Sequence, residues 1–247
     1  MASNICCGST PATLFTAPRP TMTDEPGYHN RRGPICAKIR SLLISLSKEP
    51  SNYDQIAQKV EYWIEYVLRE GFATVDELVE GVSGVGWDDG ESYASVARFF
   101  REFYDAPNRS EQARSFVSQL CPYVLRWFAI ALTEDLWWSS ESSLSIRGAP
   151  GLISAASFIG HLIDRRLFSH ELVRRHLTKS LTSHHDSSDH ANSPGATRAD
   201  AIYQLFIAAG HTLLQGLLEP GDVQACFDIL QAWSKRKIGI DAVKLKV

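Results

Sequence analysis

From residue 34 onward, apolar residues recur at helical spacing in stretch after stretch, and no run alternates apolar and polar residues over a strand's length. This constrains the fold most: the chain must bury a series of helical stripes against one another. Ile39, Leu42, Leu43 and Leu46 mark the first stripe at i, i+3, i+4, i+7. Pro50-Ser51 interrupts it, with Ser51 placed to cap the next helix. A second stripe runs through Ile56, Val60, Trp63, Ile64, Val67 and Leu68 and stops at Gly71. Thr74 with Glu77 three residues later is a capping-box pattern opening a helix over 75–81. Tyr93, Val96, Ala97, Phe100 and Phe103 form the next stripe. After Pro107-Asn108 a long helix carries Phe116, Leu120, Val124, Trp127, Phe128 and Leu132, and Pro122 within it predicts a kink or a split.

Residues 137–151 read as a loop. In "AASFIGHLIDRRLFSHELVRRHL" (155–177), Phe158, Ile159, Leu162 and Ile163 line one helix. Ser169 caps a second that carries Leu172, Val173, His176 and Leu177. Residues 182–197 are a polar loop, 201–218 a helix, 222–233 another and 235–246 a last one. About ten helices in consecutive pairs predict an all-α fold, a HEAT-like α-solenoid of about five antiparallel hairpins. Periodicity alone leaves a generic helical bundle as the alternative, because no sharp internal repeat is visible.

Of the 247 residues, 44% are apolar and 21% charged, as in soluble globular proteins, and the net charge of −3 offers no general attraction to nucleic acid or anionic membrane. Residues 1–33 are rich in Ser, Thr, Pro and Gly and are expected to form a disordered tail before a single domain over 34–247. The tail lacks the continuous apolar core of a secretory signal and holds too little Arg for a good transit peptide. Cys6-Cys7 is an acylation candidate without the glycine at position 2 that myristoylation needs. The five cysteines (Cys6, Cys7, Cys36, Cys121, Cys226) form no CxxC, which suggests a reducing compartment. The expected location is cytoplasmic, with nuclear the alternative. The uncharged stretch 201–218 has the length of a membrane span. However, Gln204, His211 and Gln215 share one helical face, which reads as an amphipathic buried helix and implies no membrane partner.

Candidate chemistry is sparse. His184, His185, Asp186, Asp189 and His190 in the polar loop are metal-ligand types, weighed against a solvated insertion, which is the preferred reading. "GVSGVGWDDG" (81–90) fits neither GxSxG nor a phosphate loop and reads as an inter-helix turn. Cys121 sits beside Pro122 with no His near in sequence, so it reads as core. Trp137-Trp138 is either a stacking platform or a core closure. No catalytic residue, metal or cofactor is assigned, and the chain reads as a non-enzyme.

Charge is unevenly placed. Residues 49–105 hold thirteen acids against four bases. Arg165, Arg166, Arg174, Arg175 and Lys179 are opposed in 165–179 only by Glu171, and Lys235, Arg236, Lys237, Lys244 and Lys246 in 235–247 only by Asp241. Arg165, Arg166, Arg174, Arg175, Lys235, Arg236 and Lys237 are therefore the candidate contacts for RNA or a protein partner, against a reading as solvated helix faces.

Four stretches, in order, add a resemblance. "FIGHLIDRRLFSHELVRRHLTKSL" (158–181) resembles the FIGELF-type helical hairpin in the middle domain of eukaryotic initiation factor 4G, a HEAT-like domain shared with nuclear cap-binding and nonsense-mediated decay proteins. "KIRSLLISLS" (38–47) is similar to that family's opening helix, with Ile44 where Asn is usual. "SYASVARFF" (92–100) and "AIYQLFIAAGHTL" (201–213) are similar to two later ones, and "SKRKIGIDAVKLK" (234–246), more weakly, to its closing helix. The resemblance covers residues 34–247. It implies a HEAT-like adaptor in translation initiation or mRNA metabolism that binds a DEAD-box RNA helicase or another such factor, in some members with direct RNA contact. The loops at 137–149 and 182–197 are longer than the family pattern, and no cap-binding-protein motif is present: the nearest match, Tyr62 to Leu68, has Val67 at the required Leu. The alternative functions are a helical-repeat protein–protein adaptor unrelated to RNA and, third, a metal-dependent enzyme using the His/Asp loop.

Overall fold

The computed structural model describes residues 29–87, 93–134, 148–182 and 194–244. Among these residues the protein is all-helical, with nine α-helices: α1 (His29–Lys48), α2 (Tyr53–Arg69), α3 (Val75–Ser83), α4 (Tyr93–Asp105), α5 (Glu111–Glu134), α6 (Gly148–Asp164), α7 (His170–Thr182), α8 (Pro194–Thr212) and α9 (Pro220–Lys244). Short 3₁₀ turns occupy Pro50–Asn52 and Gly84–Trp87, and a π-helical turn, Leu213–Leu217, ends α8.

The predicted stripes become the core. Ile39, Leu43 and Leu46 of α1, Val60, Ile64 and Val67 of α2, and Val96, Phe100 and Phe103 of α4 are sealed from solvent. They belong to one continuous cluster that extends through Phe116 and Phe128 of α5 to Cys226 of α9. The Thr74 capping box is present in both directions: Glu77 N donates to Thr74 Oγ1 at 3.3 Å and Thr74 N donates to Glu77 Oε2 at 2.8 Å. α2 ends in a Schellman turn, with Phe72 N on Val67 O at 3.0 Å and Gly71 at φ +69°.

Several boundaries differ from expectation. α1 already covers residues 29–33, and the remainder of the expected tail, 1–28, lies outside the described residues. Asn52, not Ser51, takes the N-cap position of α2, at the end of the 3₁₀ turn that Pro50 starts, and its side chain makes no capping bond. α3 continues through Gly81 to Ser83. α5 continues through Pro122 as one helix, so the expected split does not occur: burial of Phe116, Leu120, Val124 and Phe128 on both sides of the proline outweighs its lost amide bond and its crowding of the preceding turn. α6 starts at Gly148 and α8 at Pro194, both inside expected loops, because proline is favourable in a helix's first turn. The expected pair 222–233 and 235–246 is one helix, α9, since Ser234 and a basic run do not break a helix.

Helices touch their second neighbours. α1, α3, α5, α7 and α9 follow one another in one run of contacts, and α2, α4, α6 and α8 in another. α6 against α8 is the most extensive of these. Its closeness depends on Gly160, where an added Cβ would lie 2.6 Å from Ala208 Cβ and 3.0 Å from Leu205 O. Cross-run contacts of α1 with α2 and α4, of α5 with α4 and α6, and of α8 with α9 join the two. Among the described residues, α5 is the helix long and apolar enough to cross a membrane, and 56% of its apolar window is buried inside the protein.

Candidate functional site

The four nominated arginines fall into two separate settings. Arg165 and Arg166 occupy the link between α6 and α7. α6 ends in a second Schellman turn, with Leu167 N donating to Leu162 O at 3.1 Å and Arg166 N to Ile163 O at 2.8 Å. The turn puts Arg166 in the left-handed region, φ 56°, and leaves both arginines exposed. Ser169 caps α7 as expected, its Oγ accepting from Leu172 N at 3.3 Å.

α4 lies against this link. Arg101 Nη1 donates to Arg166 O at 3.3 Å and its Nε pairs with Asp105 at 2.6 Å. One turn earlier, Arg98 Nε donates to Glu102 Oε1 at 2.7 Å, while the Tyr53 hydroxyl donates to Glu102 Oε2 at 2.7 Å. The Arg98 guanidinium also lies over the Tyr53 ring, 4.2 Å from its centroid. Partial burial works to raise the Glu102 carboxyl, but hydrogen bonds from Arg98 and Tyr53, with the nearby Arg98 and Arg165 charges, outweigh it and hold the group below its ordinary value. Burial and the bond to that carboxylate push the Tyr53 phenol far up. The setting is thus a mixed cluster in which Arg98, Arg101 and Arg165 lie near Glu102 and Asp105, with the Arg166 carbonyl tied to it through Arg101. Sequence reasoning missed Arg98 and Arg101 because they sit in the acidic half. Their i, i+3 spacing on one face of α4 was the available signal.

Arg174 and Arg175 lie apart, on α7. Arg174 pairs with Glu219, tying α7 to the residue before α9, and Arg175 pairs with Glu171 at 3.3 Å within α7. Arg126 of α5 is exposed, and together with Arg175 it adds to the effect of burial in lowering the pKa of His176. Lys235 is exposed on α9. Arg236 and Lys237 are on the same helix, but their side chains, like that of Lys179, lie outside the described residues.

The nucleophile candidates among the described residues are held as structural groups. Cys121 is 1% exposed and burial pushes its thiol up to about 12, so it is a protonated core residue at neutral pH. Ser83 Oγ donates to Glu80 O at 2.8 Å, a helix-end bond and not a nucleophile's. No group of three or more His, Cys, Asp or Glu is placed for a metal among the described residues. The His184, His185, Asp186, Asp189, His190 loop and Trp137-Trp138 lie outside them.

A further surface was not anticipated. The outer face of α8 faces the first half of α9 across an open apolar groove of about 950 Å³. Tyr203 is 53% exposed, Ile207 61% and Leu214 53%, and Phe227 of α9, 46% exposed, closes the other side. The signal was in the sequence: Tyr203, Ile207, Gly210 and Leu214 recur at i, i+4, i+7, i+11, a second apolar strip beside the polar Gln204–His211–Gln215 line. No protein family, curated protein or solved structure matches the chain.

Proposed function

We propose that the chain is a non-enzymatic adaptor of the initiation-factor-4G middle-domain type, a HEAT-like α-solenoid that holds a DEAD-box RNA helicase, with RNA as a second ligand at the arginine-bearing link. The observation that carries this reading is the contact order. Odd helices contact odd ones and even helices even ones, as the two layers of a helical solenoid do, with α1–α2 and α5–α6 packed as hairpins and α3–α4 and α7–α8 in little contact. The stretches that bear the family resemblance fall on α1, α4, α6–α7 and α8, and the apolar positions they share with it are largely core: Leu43, Val96, Phe158, Ile159, Leu162 and Leu205 are buried. An adaptor of this kind acts by presenting fixed surfaces, and it needs no reactive side chain.

The test is capture of purified DEAD-box helicases on immobilised protein, together with RNA binding measured across salt concentrations. Helicase in the eluate is the expected result. Absence of every helicase and of salt-dependent RNA binding would overturn the reading. The pairing of Arg174 with Glu219 and of Arg175 with Glu171 favours a second reading, a helical-repeat adaptor that binds protein and no RNA.

A further inference from the structure

α2 carries an aromatic face that the helical core leaves open. Tyr62, 60% exposed, stacks on Tyr66 one turn later, with ring centroids 5.7 Å apart and planes 11° from parallel. Trp63 stands edge-on to both, at 5.7 and 5.8 Å. Phe72, just past the Schellman turn, meets Tyr66 at 5.5 Å. We propose that this face is the docking site of the chain's own Ala17-Pro18-Arg19-Pro20 segment, taken up as a polyproline II turn against Tyr62 and Tyr66.

Position along the fold selects this occupant. α1 and α2 are joined by four residues and pack together, so they run antiparallel, and Lys38 of α1 places its ammonium 3.9 Å from the centre of the Trp63 ring. Beyond Trp63, α2 therefore runs back along α1 toward His29, where the chain enters the fold. From Lys38 to His29 the distance is about 14 Å at the rise of an α-helix. Pro20 precedes His29 by nine residues. A flexible link of that length spans about 15–18 Å, and effective concentration peaks when the link matches the gap. Pro26, three residues from His29, reaches only about 10 Å when fully extended. Pro11, eighteen residues away, sits on a link of about 21–25 Å and is diluted accordingly.

Chemistry selects the same segment. Proline fixes its own φ and holds the residue before it extended. Two successive X-Pro pairs therefore favour polyproline II over all four residues, and docking them costs little conformational entropy. Aromatic side chains are the surface on which such segments are recognised. At about 3.1 Å per residue, Pro18 and Pro20 stand about 6 Å apart, which matches the 5.7 Å between the Tyr62 and Tyr66 rings. With three residues per turn, both prolines share one side of the turn and Arg19 points away from it. Size favours a tethered ligand over a separate protein. Two prolines on two rings fall far short of the roughly 800 Å² per partner of a stable interface, whereas a tether supplies a local concentration on the order of 1 mM.

The test uses the full chain, unaltered and with Pro18→Ser and Pro20→Ser together, and a fluorescent peptide of residues 14–23 as the probe. The doubly altered chain should bind the peptide, and the unaltered chain should bind it about tenfold more weakly, as a tethered competitor at about 1 mM does to a peptide with a Kd of about 0.1 mM. In the doubly altered chain Tyr62→Ala should abolish peptide binding and Tyr62→Phe should preserve it, with the urea midpoint unchanged in both. Equal binding by the two chains would show that the tail does not occupy the face and would overturn the proposal. So would absence of binding to the doubly altered chain, or binding that survives Tyr62→Ala. A dimer in sedimentation that the two proline substitutions dissociate would assign the face to the tail of a second copy instead.

Discussion

Arg166 is the one non-glycine residue among those described that holds a positive φ, at the position where the α6 Schellman turn favours glycine. The left-handed conformation costs a residue with a Cβ roughly 1–2 kcal/mol, and glycine's extra freedom in the unfolded chain costs about 0.5–1 kcal/mol. Arg166→Gly should therefore stabilise the fold by about 0.5 kcal/mol or more, read as a higher urea midpoint, while Arg166→Ala should bring no such gain. Equal midpoints for the two variants would show that the turn is unstrained. His161 and His176 set a pH dependence at the same scale. Burial lowers both pKa values, aided by Arg165 at His161 and by Arg175 and Arg126 at His176. The unfolded chain therefore binds protons more readily, so stability is full above the ordinary histidine value and falls as pH drops through it. The urea midpoint should decrease from pH 7.5 to 5.5, and His161→Gln should flatten that decrease. An unchanged slope would remove His161 from the account.

Among the elements, the α6–α8 crossing is the tightest joint, and Gly160 is what allows it. Gly160→Ala forces its Cβ against Ala208 Cβ and Leu205 O, an overpacking cost of about 1–3 kcal/mol. Adding Ala208→Gly should recover part of the loss, since the Leu205 carbonyl remains close. A double variant no better than the single one would place the strain elsewhere. At this scale, the stripes on α1, α2 and α4 were legible because each has one buried face, so helical spacing reports it directly. Element ends were less legible. Pro194 and Pro150 appeared among loop-forming residues yet lie in first turns, where proline's missing amide costs little. Pro122 looked like a breaker, but the core on both sides of it keeps α5 whole. The α8–α9 groove escaped because residues 201–218 are apolar on two faces of one helix, and a single-stripe reading absorbs both into the core.

For the whole molecule, the charge pattern read along the chain is not the pattern in space. The acidic half contributes Arg98 and Arg101 to the α6–α7 link that carries Arg165 and Arg166, while Arg174 and Arg175, in the same basic run of the sequence, spend their charge on Glu219 and Glu171. Chain order cannot show this, because it arises only when α4 packs against the α6–α7 link. RNA binding should follow the spatial arrangement. A cation that neutralises a phosphate of single-stranded RNA contributes about 0.7 to the slope of log affinity against log salt. Arg165→Ala with Arg166→Ala should thus flatten that slope by about 1.4. Arg174→Ala with Arg175→Ala should flatten it less, because each arginine must first leave a carboxylate to meet a phosphate, and the pairs it leaves are exposed and weak, not absent. Glu219→Gln provides the converse: by freeing Arg174 it should steepen the slope. Slopes unchanged from the unaltered protein in both double variants would return the arginines to a solvated surface and leave the adaptor role resting on protein contacts alone.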